Sequence, residues 1–273
     1  MSARMLAFFL TALIAVAGVS AVPALAQDGA LRQLETGDDS RGWNAVGRLN
    51  MGRRSFCTGA LIAPQLVLTA AHCLFDKTTG NRIPVSEIEF LAGWRNGRAA
   101  AYRGARAAVA HPDYTYGGAR MARVAHDLAL IELDQPIRLR SIQPFGTGLQ
   151  PEKGDRVGVV SYAYDRSEAP SVQEVCEVLE RQPDILMLSC TVDFGSSGAP
   201  IFAMRDGVVR VVSVISSKAE YAGRNVALGT ALEGPLQELR ATLEAGSRPF
   251  QQADPSRRMM EAGAGSSAKF LKP

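Results

Sequence analysis

The sequence predicts an all-β protein made of two sets of about six strands, followed by one helix. Three observations carry this. From residue 43 onward, short runs rich in valine, leucine and isoleucine alternate with Gly, Pro, Asn and Asp. A Pro- and Gly-rich stretch at 143–154 (QPFGTGLQPEKG) divides those runs into two groups. After Gly234-Pro235, the segment 236–245 places Leu236, Leu239 and Leu243 on one helical face, and Pro235 suits the first turn.

The expected strands before the divider are 43–50, 56–62, 65–69, 88–92, 105–110 and 128–133. Those after it are 156–163, 173–179, 185–190, 200–203, 208–217 and 225–230. Many short strands at this spacing fit a barrel or a sandwich.

The two ends have a different texture. Arg4 precedes an apolar run at 5–19, broken only by Thr11 and Gly18, and Ala24-Leu25-Ala26 supplies the small residues of a cleavage site. This reads as an export signal at 1–26, cut between Ala26 and Gln27. The apolar core is shorter than the ~20 residues of a spanning helix. Residues 27–41 are polar without apolar alternation and read as a leader or short propeptide. The first strand unit is 42–148, the second 149–233, the helical unit 234–250, and 251–273 a disordered tail of small, polar and basic residues.

The 273 residues carry a formal charge of +3. Removing 1–26, which holds Arg4 and no acid, leaves +2 (3 − 1). That is too little to argue for a nucleic-acid partner. Four cysteines, Cys57, Cys73, Cys176 and Cys190, behind an export signal suggest two disulfides in an oxidising compartment, with three pairings open. None of them form a CxxC pair, which argues against zinc. Cys176 and Cys190 flank a hairpin turning near Gln182-Pro183-Asp184, where cross-strand neighbours lie close enough to bond.

Three motifs carry chemistry: Leu68-Thr69-Ala70-Ala71-His72-Cys73, Asp127-Leu128-Ala129-Leu130 and Gly195-Ser196-Ser197-Gly198-Ala199-Pro200. A serine hydroxyl is a weak nucleophile until a base of pKa near 7 takes its proton, and that base needs a buried carboxylate to hold its tautomer. His72, Asp127 and Ser197 are the residue types that task requires. Asp127 opens an apolar run, which favours burial. His126 is expected to point away from it, as neighbours on a strand do. His111 is expected to start a loop.

In this order the motifs resemble the His, Asp and Ser segments of the trypsin/chymotrypsin superfamily of serine proteases. The resemblance covers most of 42–245, including Phe56-Cys57-Thr58-Gly59-Ala60-Leu61-Ile62 and His111-Pro112-Asp113-Tyr114. It implies two six-stranded antiparallel β-barrels of the chymotrypsin type with a C-terminal helix. It also implies a Cys57–Cys73 bridge, an oxyanion hole from the backbone N–H groups of Gly195 and Ser197, and hydroxyl support for Asp127 from Thr69 or Ser216. The substrate pocket would involve Thr191, Ser216, Ser217 and Lys218, with Asp193 capping the loop. No acid stands at the pocket base, which argues against Lys or Arg at P1. Lys218 favours small or acidic P1 residues.

Two departures from trypsin-like zymogens agree with each other. No Ile-Val-Gly-Gly-like terminus follows Arg41, and the residue before Ser197 is Ser196, not aspartate. Ala199 also replaces a common glycine. The chain is more similar to the bacterial glutamyl-endopeptidase-like branch. The expectation is therefore a periplasmic or secreted serine endopeptidase, monomeric, acting on a polypeptide substrate without metal or organic cofactor. Nucleic acid and, after signal cleavage, membrane are not expected partners.

Overall fold

The computed structural model describes residues 29–52 and 55–247. The expected export signal at 1–26, the tail at 251–273 and residues 248–250 lie outside the described residues. Among the described residues, no helix is long and apolar enough to cross a membrane.

Among the described residues, fourteen strands follow one another. They are β1 (Arg32–Gln33), β2 (Val46–Met51), β3 (Ser55–Ala63), β4 (Leu66–Thr69), β5 (Ile88–Ala92), β6 (Ala101–Ala110) and β7 (Ala129–Leu133). Then come β8 (Gly146–Thr147), β9 (Arg156–Ala163), β10 (Arg166–Arg181), β11 (Ile185–Leu188), β12 (Pro200–Arg205), β13 (Val208–Tyr221) and β14 (Arg224–Ala231). Two helices, α1 (Arg120–Ala125) and α2 (Pro235–Ser247), complete the set.

The first barrel closes in the order β2-β3-β4-β7-β6-β5, antiparallel throughout. The second closes because β9 pairs with both β10 and β12, joining the path β10-β11-β14-β13-β12 end to end. The fold is thus the expected pair of six-stranded antiparallel barrels. Closure removes the unpaired edges that open sheets expose. Outside the second barrel, β1 adds antiparallel to β10 and β8 parallel to β13.

Burial follows from this arrangement. All seven central residues of β3 are buried, because this strand faces its own barrel on one side and the second barrel on the other. One apolar cluster fills the first barrel and continues across the seam into Val160, Tyr162, Val172, Phe202 and Val214. Another, around Val159, Val178, Leu188, Ile201 and Val212, fills the second barrel. Helix α2 begins at Pro235, leaves the second barrel and covers β6 and β7 of the first. Leu236, Leu239 and Leu243 point into the core, each burial stabilising by about 1.5–3 kcal/mol.

Both disulfides form as expected, Cys57–Cys73 with Cα atoms 6.2 Å apart and Cys176–Cys190 with 5.1 Å. Other segments differ from the sequence reading. The strand expected at 43–50 begins only at Val46, because Trp43 packs its ring on Phe145 and Phe202. The described part of the expected leader is packed: Arg32–Gln33 joins the sheet, Leu34 is wholly buried, and the Gly29 N–H donates to the Val175 carbonyl at 2.7 Å.

Candidate active site

Each residue of the expected triad sits where regular structure gives way to a turn. His72 lies in a 3-10 turn (Ala71–Leu74) just after β4, Asp127 between α1 and β7, and Ser197 in the loop before β12. The barrels thus bring together side chains far apart in sequence. His72 Nδ1 is 2.7 Å from Asp127 Oδ2, and the His72 backbone N–H donates to Asp127 Oδ1 at 2.8 Å. A carboxylate at Nδ1 keeps the proton there and leaves Nε2 free to accept one.

Asp127 is 3% exposed, and a carboxylate so buried needs such partners. Ser216 Oγ on β13 donates a further bond to Asp127 Oδ2 at 2.5 Å. Thr69 does not reach the carboxylate; its hydroxyl donates to the Thr58 carbonyl at 2.9 Å. Of the two expected supports, only Ser216 occupies that place. Tyr114 packs beside it, and burial, with the charge of Asp127 next, raises its phenol pKa above the ordinary value.

Ser197 opens onto the same cleft as His72 and Asp127, a space of about 460 Å³. A larger cleft of about 720 Å³ between β8, β12 and α2 holds none of the three. The Ser197 carbonyl accepts from the Thr58 N–H at 2.8 Å, and the Gly198 N–H donates to the Ile215 carbonyl at 2.8 Å. His72 and Ser197 both line this cleft, across from each other's loops. The N–H groups of Gly195 and Ser197 donate to no acceptor among the described residues. Two unengaged donors therefore flank the nucleophile position.

Gly195 has φ +98°, and a Cβ there would run into the Phe56 ring and the Ala163 backbone. Only glycine holds this turn without strain. A Cβ at Gly198, which has φ +77°, would meet Thr69 and Thr58 more closely still.

This geometry agrees with three comparisons. Residues 57–211, more than half of the chain, match the trypsin-like peptidase domain family. The chain belongs to that family. It is 29% identical over 164 residues to serine protease 23 of Mus musculus, covering 54% of this chain and 42% of that protein. It is 25% identical over 148 residues to a glutamyl endopeptidase of Bacillus licheniformis, covering 54% and 45%. The chain thus spans less than half the length of the curated relatives it matches. Among solved structures, a Glu endopeptidase in complex with MPD is similar at a TM-score of 0.65 and 18% identity, covering 81% of this chain and 98% of that one.

Within this peptidase fold, the expected pocket residues separate. Ser216, Ser217 and Lys218 line the main cleft, whereas Thr191 lines a smaller one of about 320 Å³, together with Lys218, Asp193 and Arg166. The Thr191 N–H donates to Gln173 Oε1 at 2.7 Å. Lys218 does not project free: its Nζ is 2.8 Å from Asp193 Oδ1 and 4.8 Å from the centre of the Phe194 ring. Asp193 also accepts the Phe194 N–H, capping the loop as expected. The Lys218 hydrogen bond, then that N–H, holds the Asp193 pKa below its ordinary value.

His126 does turn from Asp127, but not for the expected reason. Neither residue is on a strand. His126 ends α1, and its ring stacks on buried His111 at 5.1 Å. His111 follows β6 directly, starting a loop as expected, and its Nε2 is 3.4 Å from Glu238 of α2.

Sequence reading missed two residues. Thr58 sends its hydroxyl to the Gly195 carbonyl at 2.9 Å and accepts the Tyr162 N–H at 3.1 Å. Its place in the Phe56–Ile62 motif was the available signal. Arg166, 9% exposed, extends under the nucleophile loop. Nothing local marks it out.

Proposed function

We propose that this chain is an exported serine endopeptidase that works through an acyl-enzyme on Ser197. The observation that supports this best is the buried Asp127 carboxylate held by His72 and Ser216, at the edge of a cleft shared with Ser197. His72 Nε2 takes the Ser197 proton as Oγ attacks the scissile carbonyl. The developing oxyanion is received by the N–H groups of Gly195 and Ser197. Asp127 stabilises the imidazolium, which then protonates the leaving amine. Water repeats the cycle in reverse to release the acid. The relatives' names, a serine protease and a glutamyl endopeptidase, support the peptidase class. The two disulfides support an oxidising compartment, periplasmic or extracellular.

The second reading is a binding module without turnover on the same fold. Intact-mass analysis after fluorophosphonate treatment separates the two. The proposal expects a single adduct on the native chain and none on Ser197→Ala. A folded native chain that stays unmodified favours the binding module.

A further inference from the structure

The residue just before Ser197 is Ser196, wholly buried, and its hydroxyl is surrounded. It lies 3.3 Å from Ser161 Oγ and 3.3 Å from the Tyr162 carbonyl, and it accepts the Asp193 N–H at 3.4 Å. The remaining partner is a cation. Arg166 Nη2 donates to Ser196 Oγ at 3.3 Å and to Ser161 Oγ at 3.2 Å, while Nη1 donates to the Ser161 carbonyl at 2.6 Å and to its hydroxyl at 3.2 Å. Ser161 stands on β9 and Arg166 opens β10, so the guanidinium folds back across its own hairpin.

The carboxylates near this cation are peripheral to the hydrogen-bonded fork. The largely exposed Asp165 carboxylate lies 3.8 Å from Nε, and burial lowers the arginine pKa against the opposing pull of Asp165 and Asp193. Burying a charge is costly unless it is paired and hydrogen-bonded, and the hydrogen bonds of this guanidinium go to Ser161 and Ser196. A fork of fixed N–H donors positions what it touches. What it touches is the residue between the two donors assigned to the oxyanion hole.

We infer that Arg166 is a positioning residue of the nucleophile loop: anchored on Ser161, it holds Ser196 by its hydroxyl and thereby sets the N–H groups of Gly195 and Ser197. The inference rests on the endopeptidase reading. It gives the loop a brace anchored on the β9–β10 hairpin.

The test measures the labelling rate of the full chain with a small fluorophosphonate, which fills the oxyanion hole and carries no P1 side chain. Arg166→Met should label about 100-fold more slowly, the scale of losing an oxyanion donor, with Arg166→Lys intermediate. Added guanidinium, at a concentration that leaves the melting temperature unchanged, should speed labelling of Arg166→Ala, whose truncated side chain leaves room beside the pocket that Arg166 lines, and not of the native chain. A merely structural arginine gives no such rescue. Ser196→Ala, which removes one contact, should slow labelling several-fold. It carries the test should Arg166→Met fail to fold. Folded Arg166→Met or Ser196→Ala labelling at the native rate overturns the inference alone. A native chain that takes no adduct overturns the endopeptidase reading, and this inference with it.

Discussion

Ser216→Ala removes one hydroxyl from a carboxylate that is 3% exposed. Asp127 Oδ2 then keeps His72 Nδ1 but loses the 2.5 Å bond from β13. A hydrogen bond to a buried charge contributes roughly 1.5–3 kcal/mol, and leaving the acceptor short of a donor costs a similar amount. Taking about 2 kcal/mol, and about 2–4 °C per kcal/mol for a chain of this size, the melting temperature should fall by about 4–8 °C. The carboxylate also orients the imidazole, so kcat should drop about 10- to 100-fold, the scale seen when an outer partner of a catalytic group is removed. KM should change little, because Ser216 turns its hydroxyl towards Asp127. Thermal melts and steady-state kinetics on a peptide substrate read both effects. If neither melting temperature nor kcat moves, the bond does not support Asp127, and the supporting role assigned to Ser216 fails.

Two further perturbations test neighbouring features. The pKa of His111 is lowered, by burial first and by His126 second, against the opposing pull of Glu238, Asp113 and Asp184. The unfolded chain therefore binds this proton first, so its contribution is intact above the ordinary value of 6.5 and is lost as pH falls from there through the folded value. Between about pH 7.5 and pH 5, His111→Gln should show a smaller pH-dependent fall in melting temperature than the native chain, and an equal fall would refute the assignment. Asp193→Asn should release Lys218 from its ion pair. A P1 scan should then shift several-fold towards acidic residues, and an unchanged profile would place Lys218 outside the substrate pocket.

Most of the barrel was readable because its strands are punctuated. Arg156–Ala163 and Ile88–Ala92 begin and end where the apolar runs do. Three elements carry no such signal. Arg32–Gln33 and Gly146–Thr147 are two residues each and are strands only because β10 and β13 are beside them. Helix α1 is six residues long, and Ala119 provides no side-chain cap. The site divides in the same way. His72, Asp127 and Ser197 were legible because their chemistry restricts the flanking residues. Arg166 was not, since an arginine opening a strand has no local mark of burial; only the pairing of β9 with β10 brings it under the loop. The Asp193–Lys218 pair spans 25 residues and depends on where β13 passes the loop.

Thr58 belongs to the first barrel, yet it holds the Ser197 carbonyl by its N–H and the Gly195 carbonyl by its hydroxyl. A groove between two lobes is commonly where a protein hinges. Here the wall of the groove is riveted to the opposite lobe at the nucleophile itself. The rivet thus works beside the apolar seam and the Ser216–Asp127 bond in fixing where the nucleophile stands against the base.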